Sequence, residues 1–262
     1  MALEAVIFDV DGTLADTERD GHRVAFNAAF AEAGLAWHWD AVLYGRLLSV
    51  TGGKERIRHY AERFDPGTAR RADFAELVQA LHRRKTRIYT DLVAQGRIAF
   101  RPGVRPLLEA LRAEGLRLAI ATTTTPDNVQ ALLEANLGPA GPAWFEVIGA
   151  GDVVGAKKPA PDIYAWVLDR LGLSPQACLA VEDSENGLRS SLQAGLATLI
   201  VVNDYTQGQD FVGAVAVVSG FGEPERPFRV LRGSAHGKRW ADPGLLRAWH
   251  AEALKGGKDV LS

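Results

Sequence analysis

Short apolar runs rich in strand-forming residues alternate along this chain with stretches that have the periodicity of helices. The runs cover residues 5–10, 116–121, 145–148, 177–181 and 198–202. Because strands and helices alternate, the pattern is typical of a parallel, doubly wound sheet with helices packed against it. The sequence therefore predicts an α/β fold.

The segment between the first two runs breaks this alternation. It is roughly a hundred residues long and shows no convincing strand, whereas ordinary crossovers are much shorter. Residues 17–98 instead have the pattern of a small helical bundle, with breaks at Gly34, Gly52-Gly53 and Pro66-Gly67. The predicted helices of this insert cover 21–34, 41–48, 54–64 and about 68–94.

The composition limits the partners and the compartment. With 47% hydrophobic residues among 262, the chain can bury a sizeable core. The net charge of −2 gives no overall attraction to nucleic acid or anionic membranes, although residues 17–98 carry a local charge of +4. A single cysteine, Cys178, excludes an internal disulfide and favours a reducing compartment. Without a signal peptide or a long apolar stretch, we expect a cytoplasmic protein that binds neither nucleic acid nor membrane.

Two carboxylates lie at the carboxyl end of the first predicted strand, in the sequence Asp9-Val10-Asp11-Gly12-Thr13-Leu14. The carboxyl end of a parallel strand is where doubly wound sheets bind their ligands. A second acidic pair, Glu182-Asp183, follows the fourth predicted strand. Either pair alone could be a polar turn or a helix cap.

Two further groups along the chain suit an anion. Thr122 to Thr125 follow the second strand and precede Pro126, where a helix would begin and leave backbone N–H groups without partners. Lys158 lies in a loop that is restricted by the neighbouring prolines. Together, the four groups supply a cage for Mg2+, a nucleophile, and donors for a transferring phosphoryl group.

The motifs DVDGTLADTE, AIAT, KKPAPD and VEDS occur here in an order that resembles the haloacid dehalogenase (HAD) superfamily of phosphotransferases. The similarity spans about residues 3–205. It implies a Rossmann-like core with an α-helical cap inserted after the first strand. The expected segments are a core over 1–16 and 99–220, a cap over 17–98, and a tail over 221–262 with a helix over 243–254.

The resemblance also implies a role for each core residue. Asp9 would be the nucleophile that forms an aspartyl-phosphate and a ligand of Mg2+. Asp11 would be the general acid and base, with its carbonyl on the metal. Thr122 would hydrogen-bond the phosphoryl oxygens. Lys158 would neutralise both those oxygens and the carboxylate of Asp9. Also expected are the metal ligands Glu182 and Asp183, the substrate-binding residues Thr123, Thr124 and Asn128, and the supporting residue Asn186.

Within the superfamily the cap selects the substrate, and the cap segments here resemble the CbbY branch. That branch removes the 1-phosphate of xylulose 1,5-bisphosphate in a Mg2+-dependent reaction. In Thr51-Gly52-Gly53-Lys54, two glycines before a helix let backbone N–H groups approach a second phosphate, and Lys54 adds a charge. A helix linker with an exposed lysine is the alternative. The expected substrate-binding residues of the cap are Glu18, His22, Tyr44, Arg46, Gly53 and Lys54.

Other readings of the same residues stay open. A sugar phosphomutase of the β-phosphoglucomutase type shares the cap position and Asp11, and a catalytically inactive sensor or scaffold is the non-enzymatic alternative. We expect a monomer that acts on a small sugar phosphate. Trp37 and Trp39 are expected to pack rather than to bind substrate, and the basic run from Arg83 to Arg87 is expected to face solvent.

Overall fold

The computed structural model describes residues 2–50 and 52–256. The chain forms two compact units, which we call the helical unit (Thr17–Ile98) and the sheet unit (Met1–Asp16 with Ala99–Ser262). In the described part of the chain, no helix is long and apolar enough to cross a membrane.

The helical unit opens with a π-helical turn, Glu18–His22, that continues into the first α-helix. Its helices are α1 (Arg23–Glu32), α2 (Ala41–Leu47), α3 (Gly53–Phe64), α4 (Pro66–Ala69) and α5 (Phe74–Ala94). The first and last of these pack along each other. Aromatic rings fill the space between the helices, and Trp37 and Trp39 are buried among Phe26, Phe30 and Tyr60. The expectation that the two tryptophans pack is therefore confirmed.

The long helix predicted over 68–94 is wrong at its start, because the structure divides it into α4 and α5. The intervening residues, from Arg70 to Asp73, include no large apolar side chain that could hold one continuous helix on the core. Asp65 instead caps the short α4, accepting hydrogen bonds from the backbone N and the hydroxyl of Thr68 at 3.2 and 2.7 Å.

The prediction that the whole basic run of α5 faces solvent is also wrong at one position. Arg83, Arg84 and Arg87 are exposed, but Lys85 is only 6% exposed. Lys85 lies four residues after Leu81 and four before Tyr89, so it shares the buried face of the helix with them. Its Nζ lies 2.9 Å from Nδ1 of His22 and above the rings of Phe26 and Tyr89.

The sheet unit contains a single seven-stranded sheet among the residues described, in the order β3-β2-β1-β4-β5-β6-β7. The strands are β1 (Ala5–Phe8), β2 (Arg117–Ala121), β3 (Val147–Gly149), β4 (Cys178–Glu182), β5 (Ala197–Val201), β6 (Ala216–Val218) and β7 (Val230–Arg232). Neighbouring strands run parallel except for the pair β6 and β7. The prediction of an α/β fold with a parallel, Rossmann-like sheet is confirmed.

Helices and 3-10 turns connect these strands. The helices are α6 (Val104–Ala113), α7 (Pro126–Leu137), α8 (Asp162–Leu171), α9 (Glu185–Gln193) and α10 (Pro243–Gly256), and the 3-10 turns are Pro142–Trp144 and Pro175–Ala177. The buried face of α8 packs against apolar residues of strands β1 to β4 through Ile163, Tyr164 and Val167. Cys178 is fully buried in the same cluster, as expected of a small apolar residue.

The described part of the tail, residues 221–256, has more regular structure than its sequence suggests. It supplies β7 to the sheet edge, and the apolar stretch just before it supplies β6, neither of which was predicted. Both strands have three residues, and those of β7 are exposed, so neither gives a long periodic signal in the sequence. The predicted helix over 243–254 is confirmed as α10, which buries Leu245, Leu246 and Trp249 and contacts β4, β5 and α6.

Candidate active site

The site begins with the pairing of β1 and β4. Phe8 at the end of β1 lies opposite Val181, so the acidic residues that follow each strand meet at one edge of the sheet. The backbone N of Asp9 donates to the carbonyl of Val181 at 3.0 Å, so the pairing of the two segments continues one residue beyond the end of β1. Asp9, Glu182 and Asp183 are all buried there.

Lys158 joins the ends of three strands. It precedes α8, and its Nζ donates to Oδ1 of Asp9 at 2.7 Å, to Oε1 of Glu182 at 2.5 Å and to the carbonyl of Ala121 at 2.9 Å. Tyr164 of α8 donates its hydroxyl to the same Oε1 of Glu182 at 2.7 Å. The ammonium therefore has a carboxylate on either side and a backbone carbonyl as its third acceptor.

Burial and crowding set the charge state of this cluster. Burial raises the pKa of Asp9 to about 7, and the nearby Lys158 opposes that shift only in part. Burial and then the charges of Asp9 and Glu182 raise the pKa of Asp183 well above its usual range. Burial alone would lower the pKa of Lys158, but the carboxylates of Asp9 and Glu182 outweigh it and raise that pKa. Three carboxylates thus share one fixed cation, which leaves an excess of negative charge.

This acidic cluster has the composition of a site for a hard divalent cation. Asp9, Glu182 and Asp183 each offer one oxygen, and the three oxygens lie within 4.8 Å of one another. Carboxylate oxygens are the ligands that Mg2+ prefers in proteins, and a dication would relieve the crowding that raises the two aspartate pKa values. The side chain of Asp11 lies outside this group and is half-buried.

The turn after β1 is packed closely against Asp183. Gly12 has a φ of +89°, and a Cβ at this position would overlap the carboxylate of Asp183 and the side-chain amide of Asn203. Asn203 donates from Nδ2 to Oδ2 of Asp183 at 2.6 Å and to the carbonyl of Gly12 at 3.3 Å. The buried guanidinium of Arg101 donates to that same carbonyl.

Three residues of this site were not predicted from the sequence, namely Tyr164, Asn203 and Arg101. Asn203 follows β5 at the same sheet edge as the acidic pairs, so its position after a strand was a usable signal. Tyr164 and Arg101 reach the site from α8 and from the residues before α6, and no local pattern distinguishes them.

The threonines that follow β2 have the expected placement at a helix N-terminus. Thr122 is 1% exposed, and α7 begins four residues later at Pro126, with Thr125 in the capping position. Oγ1 of Thr122 accepts from the backbone N of Thr124 at 3.3 Å, and Asn128 donates to Oγ1 of Thr124 at 3.2 Å. Thr123 is half-buried. Among the described residues, the buried Oγ1 of Thr125 and Oδ1 of Asn128 have no hydrogen-bond partner, which suits a site that binds a polar ligand.

In the helical unit, two of the predicted substrate residues contact each other, and a third residue that was not predicted contacts both. The hydroxyl of Tyr44 donates to Glu18, and Nη1 of Arg56 donates to that hydroxyl at 3.0 Å and lies 3.8 Å from Oε2 of Glu18. Arg56 is buried, and it also donates to the carbonyls of Leu47 and Val50. His22 is buried, and its Nδ1 lies 2.9 Å from Nζ of Lys85.

The remaining predicted residues of this unit lie around the start of α3. Gly53 is its first residue, and a Cβ there would lie 2.8 Å from His82. Lys54 is half-buried and Arg46 is exposed. Thr51 falls outside the residues that the structure describes.

The sheet, the two acidic strand ends and the bridging lysine define the class of this protein. Residues 3–195 match the family model of the haloacid dehalogenase-like hydrolases, and the chain belongs to this family. Within it, the chain is 50% identical to protein CbbY, plasmid, of Cupriavidus necator over 96% of this chain and 98% of that protein. A CBBY-like protein of Arabidopsis thaliana is 37% identical over 84% of this chain and 70% of its own length.

Solved structures show the same similarity. CbbY from Rhodobacter sphaeroides in complex with phosphate is 45% identical and superposes with a TM-score of 0.74, covering 81% of this chain and 92% of that one. A mutant of that protein in complex with xylulose-(1,5)bisphosphate has the same TM-score at 44% identity, over 81% and 92% of the two chains. The predicted resemblance is confirmed, and the chain is a phosphoric monoester hydrolase of the HAD type.

Proposed function

We propose that this protein is a Mg2+-dependent phosphatase that converts xylulose 1,5-bisphosphate and water to xylulose 5-phosphate and inorganic phosphate. The observation that carries the proposal is the ammonium of Lys158 held between Asp9 and Glu182 where β1 and β4 end. The similarity to a CbbY protein that binds this sugar bisphosphate supports the choice of substrate.

Asp9 is the nucleophile in this account. Lys158 holds its Oδ1, which leaves Oδ2 to attack the phosphorus of the 1-phosphate. As the new bond between Oδ2 and phosphorus forms, the bond between phosphorus and the sugar oxygen breaks. Asp11 gives its proton to the departing oxygen, so that a neutral sugar hydroxyl leaves instead of an alkoxide.

A water molecule completes the reaction. Asp11, now a carboxylate, takes a proton from this water while the water oxygen attacks phosphorus. The bond between phosphorus and Oδ2 then breaks, which releases inorganic phosphate and restores the carboxylate of Asp9. Thr122 and the N-terminus of α7 supply donors for the non-bridging oxygens during both transfers.

Mg2+ fits the same cluster, and Asp9, Glu182 and Asp183 are the residues that would hold it. When bound, Mg2+ would offset the repulsion between the phosphate and the carboxylates and stabilise charge on the transferring phosphoryl group. The expected role of the Asp11 carbonyl as a further ligand remains part of this proposal.

We assign substrate selection to the helical unit, as a cap. Glu18, Tyr44 and Arg56 form a fixed polar group suited to sugar hydroxyls and phosphate, and Lys54 at the first turn of α3 adds a cation for the distal phosphate. His22, Arg46 and Gly53 remain candidates for contacts with the substrate. We further propose a cytoplasmic monomer.

Phosphate release by the purified protein tests this function. With Mg2+, xylulose 1,5-bisphosphate should yield one equivalent of phosphate per sugar, and chelation of the metal should stop the reaction. Asp9→Asn, which is nearly isosteric but cannot form the phospho-enzyme, should lose turnover and retain its fold. Turnover of Asp9→Asn within about tenfold of the wild type would contradict the assignment.

The same assay separates the alternatives. Conversion of β-glucose 1-phosphate to glucose 6-phosphate without release of phosphate would indicate a phosphomutase. A well-folded protein that releases phosphate from no small ester, with or without Mg2+, would instead support the inactive sensor or scaffold.

A further inference from the structure

Arg101 is a buried cation at the edge of the candidate site, and its acceptors come from three separate segments. Its side chain is 7% exposed. Nη1 donates to the carbonyl of Gly12 and to that of Val201 at 3.1 Å, and Nη2 donates to the carbonyl of Val202 at 2.6 Å and to that of Ser219 at 3.4 Å. The guanidinium of Arg101 thus connects the turn after β1 to the ends of β5 and β6 through hydrogen bonds.

The backbone beside Arg101 holds the same turn. The backbone N of Arg101 donates to the carbonyl of Leu14 at 2.8 Å, and Phe100 forms an antiparallel bridge with Ala15. Asp16, at the end of the turn, lies 3.5 Å from Nε of Arg101. One residue therefore contacts the turn at Gly12, Leu14 and Asp16.

The contact with Gly12 bears directly on the chemistry. Gly12 follows Asp11, and its peptide is packed so closely that a Cβ would overlap Asp183. Its carbonyl accepts from Arg101 on one side and from Asn203, which also binds Asp183, on the other. A shift of this carbonyl would rotate the turn that carries Asp11 and so move the Asp11 carboxyl from its place.

We propose that Arg101 is a positioning residue that fixes the Asp11-Gly12 turn, so that the carboxyl of Asp11 is aligned to protonate the departing oxygen. The inference rests on the proposed phosphatase function. It depends on the fork of the guanidinium, which presents several donors in one rigid plane. Lysine donates from a single nitrogen and cannot reproduce the four carbonyl contacts that Arg101 makes from Nη1 and Nη2.

A leaving-group comparison distinguishes this role from simple support of the fold. The sugar oxygen needs a proton to depart, whereas the oxygen of 4-nitrophenyl phosphate departs readily as an anion. Misalignment of Asp11 should therefore harm the sugar bisphosphate far more than the nitrophenyl ester. A general loss of folded protein would lower kcat/KM for both substrates by the same factor.

The experiment measures kcat/KM for both substrates with wild type, Arg101→Lys and Arg101→Gln, at a temperature well below each Tm. Arg117→Lys is the matched control. Arg117 donates to both carboxylate oxygens of Glu146 at 2.6 and 2.7 Å and to the carbonyl of Leu171, at the opposite end of β2 from Thr122. It should stay within about twofold of wild type on both substrates.

We expect Arg101→Lys to lose at least about tenfold more activity on the bisphosphate than on the nitrophenyl ester, as befits partial loss of a general acid. Equal losses on the two substrates, or wild-type behaviour, would overturn the positioning role. Failure of both Arg101 variants to fold would also overturn it in favour of a structural role. If the wild type released phosphate from neither substrate, the proposed function itself would fail.

Discussion

Lys158 balances the charge of the candidate site because its ammonium is the fixed cation among three buried carboxylates. Replacing it removes the partner of both Asp9 and Glu182 at once, and buried carboxylates without a partner are costly. The adjacent Lys157 offers a natural comparison, since it is partly exposed and pairs with the exposed Asp152 at 3.3 Å. Neighbouring lysines therefore differ in what they stabilise.

We expect Lys158→Met to abolish measurable turnover and to lower the free energy of unfolding by about 3 kcal/mol. Lys157→Met, the control, should remain within about 0.5 kcal/mol of wild type, as is usual for a surface pair. Urea unfolding and phosphate release on both variants check the prediction. Equal stability of the two variants would show that the buried ammonium does not stabilise the cluster.

At the residue scale, the sequence predicts which residues carry the chemistry better than it predicts the contacts that hold them. Asp9, Lys158, Glu182 and Asp183 follow strands or lie in a distinctive loop, and the structure brings these four together. Lys85 could have been placed from its spacing to Leu81 and Tyr89, since residues four apart share a helix face. Arg101 and Tyr164 could not, because their acceptors are distant in sequence.

At the scale of elements, α9 packs closely against the candidate site because its residue 187 is a glycine without a side chain. A Cβ on Gly187 would overlap the carboxylate of Glu182, which the ammonium of Lys158 and the hydroxyl of Tyr164 hold from the other side. The helix can approach the end of β4 only because position 187 is glycine.

We therefore expect Gly187→Ala to reduce kcat strongly and to destabilise the protein, although alanine ordinarily favours a helix by about 0.5 to 1 kcal/mol over glycine. The displaced Glu182 would also weaken its bond to Lys158. Gly155→Ala is the control, because nothing lies within 4 Å of a Cβ there. Thermal melts and phosphate release should separate the two variants, and a stabilised, active Gly187→Ala would contradict the account.

The helix α3 carries the second prediction at this scale. If Lys54 binds the distal phosphate, Lys54→Ala should lose about 1.5 to 3 kcal/mol of transition-state binding with xylulose 1,5-bisphosphate and much less with xylulose 1-phosphate. Arg63→Ala, in the last turn of the same helix, is the control and should affect neither substrate. Values of kcat/KM for two proteins and two substrates complete a double-mutant cycle. Equal losses on both substrates would make Lys54 structural.

The helix α10 makes the stability of the folded protein depend on pH through His250. His250 is 2% exposed, and its Nε2 lies 2.9 Å from the carbonyl of Gln176. Burial lowers the pKa of His250 below its usual value of 6.5. The unfolded chain therefore binds this proton more readily than the folded protein. The resulting stability is fully present above about pH 6.5 and is lost as the pH falls through that value towards the folded pKa.

His250→Gln should consequently show a smaller drop in Tm between pH 7.5 and pH 5.5 than the wild type does. His236→Gln is the control, since His236 is partly exposed and pairs with Glu252 at 3.2 Å. An unchanged pH dependence in His250→Gln would mean that other groups account for it.

At the scale of the whole molecule, the sequence predicts the five strands β1 to β5 of the sheet well and the two strands β6 and β7 at one edge poorly. The five strands predicted as apolar runs are each present within a few residues, since buried parallel strands need continuous apolar sequence. The strands β6 and β7 were missed because each has three residues, and β7 is exposed. Periodicity carries little information over three residues, so long-range pairing decides their conformation.

The central claim is that Asp9 becomes phosphorylated during turnover, and acid quenching within the first turnover tests it most directly. Wild-type protein mixed with xylulose 1,5-bisphosphate and Mg2+ should gain the mass of one phosphoryl group, and proteolytic mapping should locate it on Asp9. Asp11→Asn should form this species much more slowly, because the departing sugar oxygen lacks its proton donor, and Asp9→Asn should form none. Turnover without a phospho-enzyme, or with the phosphoryl group on another residue, would contradict the account.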